Sequence, residues 1–452
     1  MKVIQHNLLR HMLYQQKGGY LVLPLCIMLV SCLTAIALPL LELHYPQFFG
    51  WARCFNWLPK DASMAQLLLG VIAGSCMTLV SVVYSMLLIA LTFASMQFSP
   101  RILNNFVNDR VSQVTLGLFI GTFAYCMVLL PSFHKAPESD PQLSLLLALL
   151  LAAVCMLILI YFIQHIAMVI QVNYIVDRIG TDTERTLRKI FGDPLKSPPR
   201  IEDSISIPAN GRRISSRRSG YIQFVDEERL LKLAIKSNAS IYIHHAVGQF
   251  LSSGAPCMTI SPAEAADAQL ETAGLACFEI GPWRSMDVDV EFGFLQMVDI
   301  ALKAISPAVN DPGTAICCID RLCAMLLVAA TLEPPITRVY DETGEVRLTR
   351  RQPSFTRLLE IAYSQIINYS KTDMAVSLRL LGALEDIATV TDHAPYLVAM
   401  RKQGREVVKN CQAHFAEVDC IELKRRLQVL ESADPQRATL EIVQKPESKR
   451  KT

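Results

Sequence analysis

Tyr20–Leu43, YLVLPLCIMLVSCLTAIALPLLEL, decides the class of this chain. A helix rises about 1.5 Å per residue, so roughly 20 apolar residues cross a hydrocarbon core about 30 Å thick. Three further stretches meet that requirement: Gln66–Thr92, Val114–Pro131 and Leu143–Val172. The third is near the short limit, which tilt or local thinning of the bilayer absorbs. Everything after residue 172 has the polar composition of a water-soluble protein. The expected fold class is therefore an α-helical polytopic membrane protein with four transmembrane helices. A cytoplasmic α+β domain follows, built from a small β barrel-like module and a helical bundle.

Lys and Arg in the short flanks set the orientation. Arg178, Arg185, Arg188 and Lys189 crowd the end of the fourth stretch, while the third loop has only Lys135. Four spans with both termini in the cytoplasm fit best, although Arg53 and Lys60 in the first loop nearly match Arg101 and Arg110 in the second. The first apolar run is too long for a cleavable signal peptide and no small-residue cleavage site follows it. The thirteen cysteines are scattered without a C-x-x-C pair. That argues against a disulfide framework or a cysteine zinc site. A net charge of +2 with no basic field gives no reason to expect nucleic acid. The expected partners are the lipid bilayer and further copies of the chain, and no cofactor is expected.

Composition divides the chain further. Residues 1–172 form the transmembrane domain. In 173–217, Ile175, Ile179, Leu187 and Ile190 extend the apolar stripe of the fourth span as a projecting helix, with a break expected near Gly180. The Pro- and Ser-rich 193–217 then reads as a linker. Residues 218–281 alternate as short strands do. Within them, Gly248–Pro256 (GQFLSSGAP) resembles the hairpin of biotinyl/lipoyl barrel-sandwich modules. The carrier lysine is replaced by Ser252-Ser253, so a structural barrel is expected rather than a carrier. Residues 282–432 show helical periodicity, with a polar hairpin or loop at Pro334–Arg351. The charged 433–452 reads as a disordered tail.

Two features could carry function. The first is Ala301–Leu322 (ALKAISPAVNDPGTAICCIDRL), in which Asp311 before Pro312 has the form of a helix N-cap. A helix N-terminus attracts anions, so Asn310, Asp311 and Thr314, with Arg284 and Asp299 nearby in sequence, form a candidate ligand turn. A tight corner whose cap satisfies its own amides explains the same residues, as a local carboxylate explains Arg284 and an ion pair to Lys303 explains Asp299. The second is a stripe on the second span. Thr78, Ser85, Thr92 and Ser99 fall seven apart, and Gly74, Ser81 and Ser95 occupy the companion position. Such a stripe lines a pore, with Ser99 and Arg101 at its cytoplasmic mouth, or lets helices approach closely, as Gly117 and Gly121 of the third span do. No H-E-x-x-H, G-x-S-x-G, Walker or G-x-G-x-x-G pattern occurs, so no enzyme is expected.

Several stretches resemble a bacterial family of predicted membrane proteins known as domain of unknown function 2254: SMQFSPR (95–101), GLFIGTFAY (117–125), IYFIQHI (160–166), SGYIQ (219–223) and, most specifically, SPAVNDPGTA (306–315). The resemblance implies a bacterial inner-membrane protein with a cytoplasmic C-terminal region. It implies no reaction and carries over no catalytic residue. Two functional expectations stand together: a channel or transport-type protein assembled or gated by its cytoplasmic domain, and a membrane-anchored ligand sensor or scaffold with no permeant species.

Overall fold

The structure is a computed structural model that describes residues 21–45, 58–59, 61–97, 109–135, 142–192, 208, 210–286 and 288–432. The chain forms two compact units that divide between Gln171 and Val172.

The first unit is helical: α1 (Val22–His44), α2 (Ala62–Gln97), α3 (Arg110–Leu129) and α4 (Gln142–Val169). The helix α3 is central and packs against the other three. Its glycines explain how. A Cβ on Gly117 would lie 2.7 Å from Ile27 Cδ1, and one on Gly121 would lie 2.7 Å from Ser31 Oγ. Small residues here let α1 and α3 approach closely. The unit's core contains Leu69, Val83, Phe119, Tyr125, Leu129, Leu145 and Phe162. Its outward faces carry exposed Leu29, Leu33, Leu67, Leu88, Leu157 and Ile160. A surface this apolar suits hydrocarbon and not water.

The second unit begins with α5 (Val172–Ile190), which runs without interruption through Gly180. The break falls earlier, at Ile170–Gln171. Nor does α5 project freely: it packs on α8 (Val290–Ala304) and α9 (Pro312–Thr331). Gly180 has a packing role, because a Cβ there would meet Arg321 Nε at 1.9 Å and Cγ at 2.7 Å. Four more helices complete the bundle: α10 (Phe355–Tyr369), α11 (Met374–Ala388), α12 (Ala394–Gln412) and α13 (Ile421–Ser432).

The β part comprises β1 (Arg212–Ser215), β2 (Gly220–Val225), β3 (Ser240–Ile243), β4 (Phe250–Leu251), β5 (Pro256–Ser261), β6 (Phe278–Gly281), β7 (Arg338–Tyr340) and β8 (Val346–Thr349). Helices α6 (Glu227–Lys236) and α7 (Ala268–Leu275) belong to the same part. One sheet has the order β1-β5-β3-β8-β7 and the other β4-β2-β6. Among the described residues the strands form two open sheets rather than a closed barrel. Gly248–Pro256 is not a hairpin either: β4 pairs with β2, whereas β5 pairs with β1 and β3. The chain crosses between sheets at Gly254, which has φ +86. Two boundaries also differ from expectation. Arg212–Ser215, inside the expected linker, is an edge strand because Ile214 fills the core. The β7–β8 hairpin, inside the expected helical region, joins the sheet through the parallel register Ile241↔Leu348. Residues 193–207 and 433–452 lie outside the described residues.

Among the described residues, five helices are long and apolar enough to cross a membrane: α1, α2, α3, α4 and α9. The last carries Asp320 and Arg321 and buries Ala315, Cys318, Ile319, Leu322, Met325 and Leu326 within the second unit.

Candidate functional site

The structure separates the residues of the candidate ligand turn. Asp311 caps α9: its Oδ1 accepts from Thr314 N at 3.1 Å and its Oδ2 from Thr314 Oγ1 at 2.6 Å. The Thr314 hydroxyl and amide together hold the Asp311 carboxyl below the usual carboxylate range. Asn310 takes φ +50, and its amide donates to Ser306 O. The Asp311 amide donates to Ala304 O, closing the corner between α8 and α9. Asn310 and Asp311 stand on the surface with their local hydrogen bonds made.

Arg284 sits at the other end of α8. Its Nε donates to Asp289 Oδ2 at 2.6 Å and its Nη2 to Oδ1 at 3.1 Å, and the Asp289 side chain is only 2% exposed. Asp289 caps α8 through Phe292 N. Burial pushes the Asp289 carboxyl up, and the Arg284 pair opposes that shift. Fifteen helical residues, about 22 Å, lie between this pair and the Asp311 corner. Asp299 lies partly buried on α8. The candidate ligand residues are thus local caps and pairs that do not converge.

The stripe on α2 has a different fate. Gly74, Thr78, Ser81, Ser85, Thr92 and Ser95 are all exposed. A Cβ on Gly70 or Gly74 would meet nothing within 4 Å. The hydroxyls turn back on their own helix: Thr78 donates to Gly74 O, Ser81 to Met77 O, Ser85 to Ser81 O and Thr92 to Leu88 O, at 2.8–3.3 Å. A hydroxyl satisfied by the i−4 carbonyl can face lipid, another helix or water. The opposite face, with Leu69, Cys76 and Val83, packs into the unit's core. Among the described residues, Gly70 and Gly74 of α2 therefore pack against no other helix, unlike Gly117 and Gly121 of α3. The proposed mouth residues Ser99 and Arg101 lie outside the described residues.

Sequence reasoning missed the polar contacts inside the membrane unit. At one end of the α3–α4 seam, Asp109 Oδ2 lies 3.1 Å from His165 Nε2, with both side chains nearly buried at 13% and 12% exposure. Asp109 also caps α3 through Ser112 N at 2.9 Å and Ser112 Oγ at 2.7 Å. Midway, Thr122 Oγ1 and Cys155 Sγ share a hydrogen bond of 3.4 Å. Towards the other end, Tyr125 OH donates to Ser144 O at 2.9 Å. Glu42, on α1, accepts from Leu143 N at 2.6 Å, Ser144 N at 3.2 Å and Ser144 Oγ at 2.9 Å, and so caps α4. Glu42 ends an apolar run and Asp109 precedes one. Each carboxylate is the cap signal at a span's edge, but pairing across chain segments 101 residues apart leaves no mark in sequence.

A cap, an ion pair and a back-bonded stripe contain no nucleophile–base pair. Among the described residues, no group of three or more His, Cys, Asp or Glu side chains is placed to hold a metal ion. The comparison with known families is decisive where the chemistry is not. A profile described as predicted membrane protein DUF2254 matches residues 17–386. This chain belongs to that family. An uncharacterised protein of Mycobacterium bovis is 31% identical over 370 residues, covering 80% of this chain and 70% of the relative. An uncharacterised Mycobacterium tuberculosis protein matches with the same identity and coverage. No solved structure matches the chain. The protein is thus a membrane protein, and membership brings no reaction with it.

Proposed function

We propose that this protein is a transport-type component of a bacterial inner membrane, not an enzyme, and that it works as a homo-oligomer. In this reading α1–α4 cross the bilayer and the second unit is cytoplasmic, where it assembles or gates the complex. Both termini are then cytoplasmic, in keeping with Arg178, Arg185, Arg188 and Lys189 just beyond α4. The helix α9 is left out of the bilayer because its Asp320 and Arg321 are paired and its apolar face already lies in the second unit's core.

The observation that carries the proposal is the outward placement of the α2 stripe. A face of Gly70, Gly74, Thr78, Ser81 and Ser85 leaves open space that a second helix can enter closely. Copies meeting there would surround a hydroxyl-lined path. The test is mass measurement in nanodiscs together with ion flux in liposomes. Oligomers are expected, with flux that falls at least tenfold in Ser85→Leu. A monomer, or flux indifferent to Ser85→Leu, would refute the proposal.

One observation favours the sensor or scaffold reading. The Ser306–Ala315 turn stands on the surface with Val309 49% exposed. In that case Asp311→Ala would abolish capture of a partner without unfolding the chain, and no flux would be measured.

A further inference from the structure

We propose that the α3–α4 seam is a proton path through the membrane unit, with the Asp109–His165 pair as the exchange group at one end and Glu42 at the other. The proposal rests on the transport-type reading and adds to it a separate proton route inside one chain, distinct from the path at the α2 face.

Position is the first argument. Ser112, Thr115, Thr122 and Ser144 are buried at 0–1% exposure on α3 and α4. Polar side chains at such places are costly and tend to mark pathways. Helical periodicity puts Thr115 and Thr122 on one face of α3, seven residues or about two turns apart. That face meets α4, since Thr122 bonds Cys155 and Asp109 reaches His165. Separate polar contacts are thus spread along α3 and α4: Asp109 with His165 and Ser112, Thr122 with Cys155, Tyr125 with Ser144 O, and Glu42 with Ser144.

Chemistry is the second argument. Hydroxyls both donate and accept, so each can receive a proton on one side and release another on the other. One proton binds at Asp109–His165 and one leaves from Glu42, with one O–H bond broken and one formed at each hydroxyl or bridging water between them; Tyr125 donates to the Ser144 carbonyl, so water must bridge Tyr125 OH and Ser144 Oγ. Thr115 Oγ1 is buried without a hydrogen-bond partner, whereas Thr78, Ser81, Ser85 and Thr92 of α2 donate to carbonyls of their own helix. An unpartnered hydroxyl in this interior is costly unless it serves a transient water. The stretch from Thr115 to Thr122, about 10 Å, is where such water must enter.

Packing is the third argument and sets the substrate class. Phe119, Leu129 and Phe162 are completely buried around the seam. No hydrated cation passes a core packed to this density, but a proton needs only successive hydrogen bonds.

The experiment uses the full chain in liposomes, with an internal pH dye, an imposed pH step and valinomycin with potassium to balance charge. Proton flux above that of protein-free vesicles is expected. Asp109→Asn, which keeps the helix cap, and Glu42→Gln should each lower it at least tenfold. Thr115→Val should lower it as well and guards against misfolding of the carboxamide variants. Proton flux equal to the wild type in Asp109→Asn and Thr115→Val, or no wild-type proton flux at all, overturns the proposal. If proton flux is absent while a larger ion still crosses in a Ser85-dependent manner, the seam fails and the transport reading survives.

Discussion

At the scale of single residues, two positions separate a structural role from a ligand-binding one. Asp311 makes two hydrogen bonds to Thr314, so Asp311→Ala should cost about 1 kcal/mol. Its carboxyl is more acidic folded than unfolded. The cap's contribution is therefore complete above the unfolded value near pH 4 and is lost as pH falls through the folded value. Denaturant unfolding should show the gap between wild type and Asp311→Ala narrowing from pH 6 to pH 3. A gap independent of pH would mean that the carboxylate is not the cap. Gly180 offers a test by sign. Alanine at an open helical position gains about 0.5–1 kcal/mol over glycine. Here the added methyl runs into Arg321, whose Nη1 pairs with Glu184 at 3.2 Å and whose Nη2 donates to Thr181 Oγ1 at 2.9 Å. Gly180→Ala should instead destabilise the second unit by about 1–3 kcal/mol, read as a lower thermal midpoint.

At the scale of elements, the proposal that α9 stays out of the bilayer has its own test. The helix's length and composition meet the requirement, yet Leu322 and Leu326 are fully buried in protein and Arg379 reaches Asp320 from α11. Leu322→Ala should therefore cost about 2–5 kcal/mol by opening a packed cavity. A lipid-facing leucine would lose almost nothing, and denaturant unfolding of the purified protein separates the two. The β7–β8 hairpin teaches a related lesson. Its polar sequence reads as a hairpin or loop; the hairpin is present, and β8 also pairs in parallel with β3, more than a hundred residues earlier. Ser240 Oγ adds a hydrogen bond to Val346 O. Alternating short strands are visible in sequence, whereas the strand each one chooses as partner depends on which apolar faces must be covered together.

At the scale of the whole molecule, the proposed topology has a direct measurement. Protease added to intact spheroplasts should spare residues 172–432, and the same protease on inverted vesicles should digest them. The opposite pattern would reverse the orientation. Sequence by itself determined the long apolar helices, their approximate limits, the change of character at residue 172 and the cap at Asp311. These follow from composition, period and short-range hydrogen bonding, which act over a few residues. Tertiary structure decided which small residues pack and which face outward: among the described residues, Gly117 and Gly121 meet α1 while Gly70 and Gly74 meet nothing within 4 Å. It also decided that Glu42 caps α4, that His165 meets Asp109, and that Gly180 makes room for Arg321 and does not break its helix. Each of these pairs residues far apart in the chain, and only close packing in three dimensions brings such groups within bonding distance.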